Sequence, residues 1–193
     1  MNSIKLLGAI VMAVLVITSM ACEKRTQPAT ANQFKPTASV QEIMKDIIDP
    51  NIDYVWNSVA TISTKKGTEE RKPKTDEDWA LVRQHAVVVL EASNLLLIEG
   101  RPIAATGANT STHQVELGPE EVQKAIAADR AAFVGYAHAL HDAMQQTIGA
   151  VDKKNVEGLI EYGSAVDHVC EECHKRFWYP NDKRPTTVPT KHN

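Results

Sequence analysis

Several motifs that mark common functional classes are absent from this sequence. It has no glycine-rich phosphate loop and no recognisable nucleophile motif, so neither a P-loop nucleotide site nor covalent catalysis is indicated. The 24 acidic residues outnumber the 21 Lys and Arg residues, and no basic patch dominates, which argues against nucleic acid as a partner. The distinctive chemistry of the chain therefore lies in its few cysteines.

Cysteine is scarce, with three residues in 193, and two of the three fall in one short motif. The segment Cys170-Glu171-Glu172-Cys173-His174 has the form C-x-x-C-H, which indicates attachment of a c-type haem. On a helix, positions i, i+3 and i+4 share a face, so both thiols and the His174 imidazole point the same way. The thiols can then form thioethers to the porphyrin vinyl groups while His174 binds the iron as axial ligand. The motif predicts one covalently attached haem c.

Three other interpretations of this cysteine pair are weaker. A redox-active C-x-x-C dithiol usually follows a strand in a βαβ unit, and no strand pattern precedes Cys170. A structural zinc site needs about four ligands, and no second Cys or Cys/His pair lies at zinc-ligand spacing. Coincidence of composition is the third. The five-residue match favours haem, and so does the signal peptide predicted at the N-terminus, because c-type haem is attached after export.

The N-terminus has the features of a secretory signal peptide. Lys5 precedes an apolar run from Leu6 to Ile17, and small residues follow up to Ala21. The run is too short and too near the start to favour a transmembrane helix. We therefore predict a signal peptide over residues 1–21 and a periplasmic protein, which agrees with haem attachment after export.

The third cysteine, Cys22, is not needed by the haem motif. The pair Ala21-Cys22 resembles a bacterial lipobox, in which the cysteine becomes lipidated, although Ser19 stands where that motif usually has Leu or Val. Ser19 and Ala21 also fit ordinary signal-peptidase cleavage. We favour lipidation because it accounts for Cys22, and a lipid there would tether the protein to a membrane. Residues 22–38 are polar and lack periodicity, which predicts a flexible tether.

Residues 39–179 are predicted to form one domain of four amphipathic helices. In each helix, apolar residues recur at spacings of three and four. Four such helices joined end to end predict an all-α fold, an up-down-up-down four-helix bundle with covalently attached haem. The last helix carries the motif on its apolar stripe, which would bury the haem against the rest of the protein. That stripe comprises Val156, Leu159, Ile160, Gly163, Val166, Cys170, Cys173 and Phe177.

The predicted helix limits follow from capping residues and prolines. The first helix covers residues 39–62 and is interrupted at Pro50, with Asp49 able to cap a new start. Thr75 caps the second helix, which Gly100 ends. The remaining limits are 64–74 for a polar loop, 118–149 for the third helix, 152–179 for the fourth and 180–193 for a coil tail.

A four-helix bundle with its only C-x-x-C-H motif on the last helix resembles the cytochrome c prime family. The likeness covers about residues 39–179. Several segments also resemble exported cytochromes related to that family. They are Asp49-Pro50 with Val55-Trp56 downstream, Thr75-Asp76-Glu77-Asp78-Trp79, Asn94-Leu95-Leu96-Leu97 before Gly100-Arg101, and the aromatic pair that follows Cys173-His174.

This resemblance implies that His174 is the proximal iron ligand and that apolar side chains of the first helix cover the opposite haem face. It also implies five-coordinate iron, binding of small uncharged gases such as nitric oxide, and electron exchange with a redox partner protein. Family members are frequently homodimers through their first two helices. The sequence departs from the family in one respect. Arg or Lys usually stands four residues after the ligand histidine, where this chain has Trp178, and Arg176 is the candidate substitute.

The sequence leaves the distal iron ligand open. Met44 lies on the inner stripe of the first helix. Its thioether is either a sixth ligand, which would raise the potential, or, as we favour, apolar packing against the haem. Phe177 is a second candidate for haem packing. Four other histidines are weaker candidates for ligands: His85, His138, His141 and His168.

Two classes of function are consistent with these features. We expect a periplasmic mono-haem cytochrome that transfers electrons and binds a small gas. We do not expect an enzyme, because the motifs include no distal acid–base pair. The alternative is a haem-based sensor or partner-binding module tethered at the membrane. Reduction potential, gas affinity and capture of a partner by the anchored protein discriminate between the two.

Overall fold

The computed structural model describes residues 34–109 and 111–183. The predicted signal peptide, Cys22, most of the tether and the end of the coil tail lie outside these residues. The described chain is mainly helical, as predicted, and also contains a short antiparallel hairpin. Its elements are α1 (Val40–Glu42), a π-helical turn (Ile43–Ile48), α2 (Asp49–Asn57), β1 (Thr61–Thr64), β2 (Gly67–Glu70), α3 (Asp76–Leu95), α4 (Pro119–Ala128), α5 (Arg130–Asp152) and α6 (Val156–Phe177). Among these helices, none is both long and apolar enough to span a bilayer.

The elements α1, the π-helical turn and α2 follow one another without a break, and we call them together the N-terminal helix. The predicted interruption at Pro50 takes the form of the π-helical turn just before it. Pro50 has no N–H to donate, and its ring would crowd the carbonyl of Asp46 in a regular α-helix. A π turn, whose hydrogen bonds reach five residues along the chain, relieves this conflict. Asp49 is not a cap, because it lies within the continuous helix.

The predicted cap at Thr75 is confirmed, and so is the predicted start of a helix at Gly118-Pro119. The hydroxyl of Thr75 accepts from the Asp78 N–H, and the Asp78 carboxylate accepts in return from the Thr75 N–H at 2.9 Å. This reciprocal pair satisfies two backbone donors that would otherwise lack partners at the helix start. α4 begins at Pro119, with Gly118 as its cap.

A β-hairpin replaces part of the polar loop predicted over residues 64–74 and also the end of the first predicted helix, which stops at Asn57 and not at residue 62. β1 pairs with β2 so that Thr61 lies opposite Glu70 and Thr64 lies opposite Gly67. β-branched residues favour the extended backbone, and Gly67 has φ +128°, a conformation that suits glycine. Nearly every hairpin residue is exposed on both faces. The hairpin therefore carries no alternation of apolar and polar residues that would predict it.

The predicted third helix is two helices, with the break at Asp129. That residue leaves the helical conformation, at φ −139° and ψ 62°, and its carboxylate accepts from the Ala132 N–H at 3.1 Å to cap α5. Arg176 of α6 donates to the same carboxylate at 2.7 Å. Ile126 and Phe133, both buried, lie seven residues apart across the break. The apolar spacing therefore continues through Asp129 and does not reveal the break.

The long helices pack around a shared apolar core. α5 contacts both α3 and α6, and the N-terminal helix contacts α3 along much of its length and α6 more locally. The most deeply buried large side chains come from all of these helices: Ile43, Ile48, Val55, Val82, Val89, Met144, Leu159 and Val166. This core fixes the side of α6 that carries the cysteines.

Candidate functional site

The motif lies in the last two turns of α6. Asn155 begins this helix by accepting a hydrogen bond from the Gly158 N–H at 3.1 Å. The apolar stripe then turns one side of α6 to the core, with Leu159 and Val166 almost fully buried. The prediction was wrong for Ile160, which is 51% exposed because it lies about 100° around the helix from Leu159. Cys170 and Cys173 continue that side and pack against the same core. The structure therefore brings both thiols and His174 onto one helix, as predicted.

The two cysteines are free thiols in a half-buried, apolar position. Burial raises the pKa of Cys170 to about 12, and the nearby charges of Cys173, Asp167 and Asp49 add to the effect. Burial also raises the pKa of Cys173 to about 11. Both groups are therefore S–H at neutral pH. A redox-active dithiol needs the opposite shift, towards a thiolate at neutral pH.

The surroundings of His174 favour the neutral form of its imidazole. Burial lowers the pKa of its imidazole, and the charge of Glu171 opposes this shift in part. The neutral ring is the form that binds a metal ion. Within the described residues, neither ring nitrogen takes part in a hydrogen bond. The Trp178 ring lies edge-on to the imidazole, with centroids 5.3 Å apart, and the Tyr179 ring lies 6.0 Å away.

The N-terminal helix crosses α6 at one close contact. Trp56 Nε1 donates to the Gly163 carbonyl at 3.0 Å, and the Trp56 ring lies 3.3 Å from the point where a β-carbon on residue 163 would sit. A β-carbon at this position would crowd the indole, so glycine allows the close approach of the two helices. Asp49 lies seven residues before Trp56, and Cys170 lies seven residues after Gly163. The charge of Asp49 acts on Cys170, so these two residues lie on the same side of the Trp56–Gly163 contact. The two helices are therefore antiparallel.

This register places the π-helical turn beside the C-x-x-C-H motif. Seven residues of helix span about 10 Å, so Asp49 and the turn before it lie level with Cys170 and the residues after it. Met44 belongs to that turn, is partly buried and packs on the same core as both cysteines. π-helical turns are frequent at functional sites. The structure thus brings the predicted distal residue to the helix next to the motif.

Phe177 lies at a different part of α6 from the thiols. It is 4% exposed and meets Phe133 and Tyr136 of α5 edge-on, at centroid distances of 5.7 and 6.2 Å. In the described structure it packs α6 against α5. Its role in haem packing stays a prediction.

Sequence reasoning missed how the residues just beyond α6 close over His174. Trp178 Nε1 donates to the Ser111 hydroxyl at 3.1 Å, and the Leu117 N–H donates to the Trp178 carbonyl at 2.7 Å. The loop before α4 is thereby fixed against the end of α6. Arg176, the candidate substitute for a basic residue near the proximal haem face, donates instead to Asp129 of α5. The sequence shows that Trp178 and Tyr179 are aromatic, but it gives no sign of their contacts with the loop before α4.

The other candidate groups lie elsewhere. His85 Nδ1 shares a hydrogen bond with Asn51 Oδ1 at 2.7 Å and stacks on Tyr54, while His138 and His168 are exposed. An open cleft of about 400 Å³ lies between the hairpin and α2 and α3, and none of the motif residues lines it. Over residues 34–109 and 111–183, no three His, Cys, Asp or Glu side chains meet as a cluster able to hold a metal ion.

The donor set of the motif fits a c-type haem. Two protonated thiols and a neutral imidazole share the end of one helix, and both thiols pack against the apolar core. Comparison of the chain with protein-family models, with curated proteins and with solved structures finds no match.

Proposed function

We propose that this protein is a periplasmic mono-haem c-type cytochrome that transfers electrons and binds a small uncharged gas. The observation that carries the proposal is the common placement of Cys170, Cys173 and His174 at the core-facing end of α6. Cys170 and Cys173 would hold the haem through thioethers, and His174 would bind the iron. When bound, the haem supplies a one-electron iron couple and a coordination position for a diatomic gas.

The chain's own residues give this site an apolar setting that is partly shielded from water. The core beside the thiols excludes water, and Met44 and Ile47 of the π-helical turn extend the apolar surface on the neighbouring helix. Trp178 and Tyr179 cover His174 from the other side. A low-dielectric setting of this kind is one of the means by which a protein sets a haem potential.

We infer the finer architecture from the same contacts. The N-terminal helix, α3, the α4–α5 pair and α6 are proposed as the four members of an up-down-up-down bundle of the cytochrome c prime type. The short connection between α5 and α6, and the packing of α5 between α3 and α6, support this arrangement. Export, lipidation of Cys22 and a homodimer remain proposals that rest on the sequence.

The first test is covalent haem in the mature protein. Protein produced together with haem-attachment machinery should give a c-type pyridine haemochrome spectrum, and acidified acetone should leave the haem on the chain. Both results follow from thioether bonds, which solvent extraction does not break. Extraction of the haem from the unaltered protein would contradict the proposal.

The second test concerns the distal side of the iron. We expect five-coordinate, high-spin ferrous iron, because Met44 lies in an irregular turn next to Pro50 and the N-terminal helix contains no histidine. Absorption and resonance Raman spectra of the reduced protein should therefore be the same in Met44→Ala as in the unaltered chain. Ile47→Ala, a truncation on the same turn, is the matched control.

The opposite outcome is equally clear. A low-spin ferrous spectrum that becomes high-spin in Met44→Ala, but not in Ile47→Ala, would show that the Met44 thioether binds the iron. The distal position would then be closed to gases, and the protein would be an electron carrier alone.

A further inference from the structure

Glu171 and Tyr179 form a hydrogen-bonded pair beside His174. The Tyr179 hydroxyl donates to Glu171 Oε2 at 2.7 Å. Glu171 lies three residues before His174 on α6, a spacing that makes the two side chains neighbours on the helix. The Tyr179 N–H donates to the His174 carbonyl at 3.0 Å, and its ring lies 6.0 Å from the imidazole. Tyr179 therefore holds the Glu171 carboxylate on the side of α6 that carries the histidine.

The charge of this carboxylate is only partly compensated. Lys175 Nζ lies 3.8 Å from Glu171 Oε1 but 3.2 Å from Glu172 Oε1, so the lysine is more closely paired with Glu172. The Glu171 charge also reaches the imidazole, since it opposes the effect of burial on the pKa of His174. Among these carboxylates, Glu171 is the one that acts on the histidine.

We propose that Glu171, positioned by Tyr179, lowers the reduction potential of the iron that His174 binds. The inference rests on the proposed function, because it assigns a role to a residue near that iron. Oxidation adds one positive charge at the iron, and a nearby carboxylate stabilises the more positive state. Glu171 is about a third exposed, with 37% of its side chain accessible, so water screens part of this interaction.

The test is a comparison of reduction potentials in the haem-loaded protein. Glu171→Gln removes the charge and keeps the size of the side chain. We expect it to shift the balance of oxidised and reduced protein about threefold towards the reduced form, as for a partly screened charge near the iron. That ratio corresponds to a rise of about 28 mV, at 59 mV per tenfold for one electron. Glu172→Gln, one position along the same helix, is the control and should shift the balance less than half as far.

The role of Tyr179 is tested through its coupling to Glu171. Tyr179→Phe removes the hydroxyl that holds the carboxylate and keeps the ring. A carboxylate that is not held turns more into water, where its charge is screened. The shift caused by Glu171→Gln should therefore be less than half as large in Tyr179→Phe protein as in the unaltered protein.

Several results would overturn the proposal. Equal shifts in Glu171→Gln and Glu172→Gln would reduce the effect to general surface charge, and an unchanged potential in haem-loaded Glu171→Gln would show no effect at all. An undiminished shift in the Tyr179→Phe background would remove the tyrosine from the mechanism. If the unaltered protein carries no covalent haem, the proposed function itself is wrong. The spectrum of the starting protein separates that failure from the others.

Discussion

Replacing Cys170 and Cys173 together with Ala should abolish covalent haem attachment and leave the helical fold intact. These thiols are the only two in the described residues, so no other described side chain can take their place as a thioether donor. Alanine is the best helix former, so α6 should persist without them. Acidified acetone should extract any haem from the variant, and mass spectrometry should find the chain at its unmodified mass.

Two comparisons keep this result interpretable. Far-ultraviolet circular dichroism should show unchanged helix content, which separates loss of attachment from loss of folding. Each single Cys→Ala variant should retain one thioether in part of the protein, while Ser164→Ala, on an exposed position of α6, should retain both. Haem that stays bound to the double variant through extraction would contradict the proposal that these thiols form the thioether bonds.

Leu159→Ala should lower the free energy of unfolding by about 3 kcal/mol, within the roughly 2–5 kcal/mol found for buried leucines. Leu159 is 1% exposed and lies in the core between α6 and its neighbours. Truncation removes apolar contacts and leaves a cavity that the packed helices fill only in part. Urea unfolding of the protein, followed by circular dichroism, gives the difference from the unaltered chain.

The next residue supplies a matched control. Ile160 is 51% exposed on the same helix, so Ile160→Ala should change stability by no more than about 0.5 kcal/mol. In the structure Leu159, Cys170 and Cys173 lie on the core-facing side of α6 and Ile160 does not. The pair of variants therefore measures which side of α6 faces the core. Equal losses of unfolding free energy at both positions would mean that α6 presents a different side to the core from the one in the structure.

The sequence was most informative where the local pattern and the tertiary packing agree. The stripe through Leu159 and Val166 predicts the buried side of α6, and both residues are almost fully buried. The Thr75 cap could also be predicted from the sequence, because a capping box involves residues only three apart. α6 carries all three motif residues, as their spacing predicts, while their role in binding haem stays a prediction.

Other features could not be predicted because they depend on contacts distant in sequence or on patterns that carry no signal. The exposed hairpin has no apolar face, and the seven-residue spacing of Ile126 and Phe133 hides the break at Asp129. The cover over His174 depends on Ser111, which lies 67 residues from Trp178. The sequence shows which residue types are present there but not which of them meet.

Hydrogen bonds attach the N-terminal helix to the rest of the protein on both sides of the π-helical turn. Trp56 holds one end to Gly163. At the other end, the Val40 N–H donates to the Pro102 carbonyl at 2.9 Å, and the Arg101 guanidinium donates to the Ala38 carbonyl.

A helix held at both ends can bow in its middle without moving either attachment. The wide turn is the part of this helix where the regular hydrogen-bond pattern is already changed. Because this turn also carries the buried Ile43 and Ile48, the flat ring system proposed beside Cys170 would have to share the core with the side chains of the turn. The contacts at Trp56 and at Val40 would then limit the movement of the helix to the segment between them.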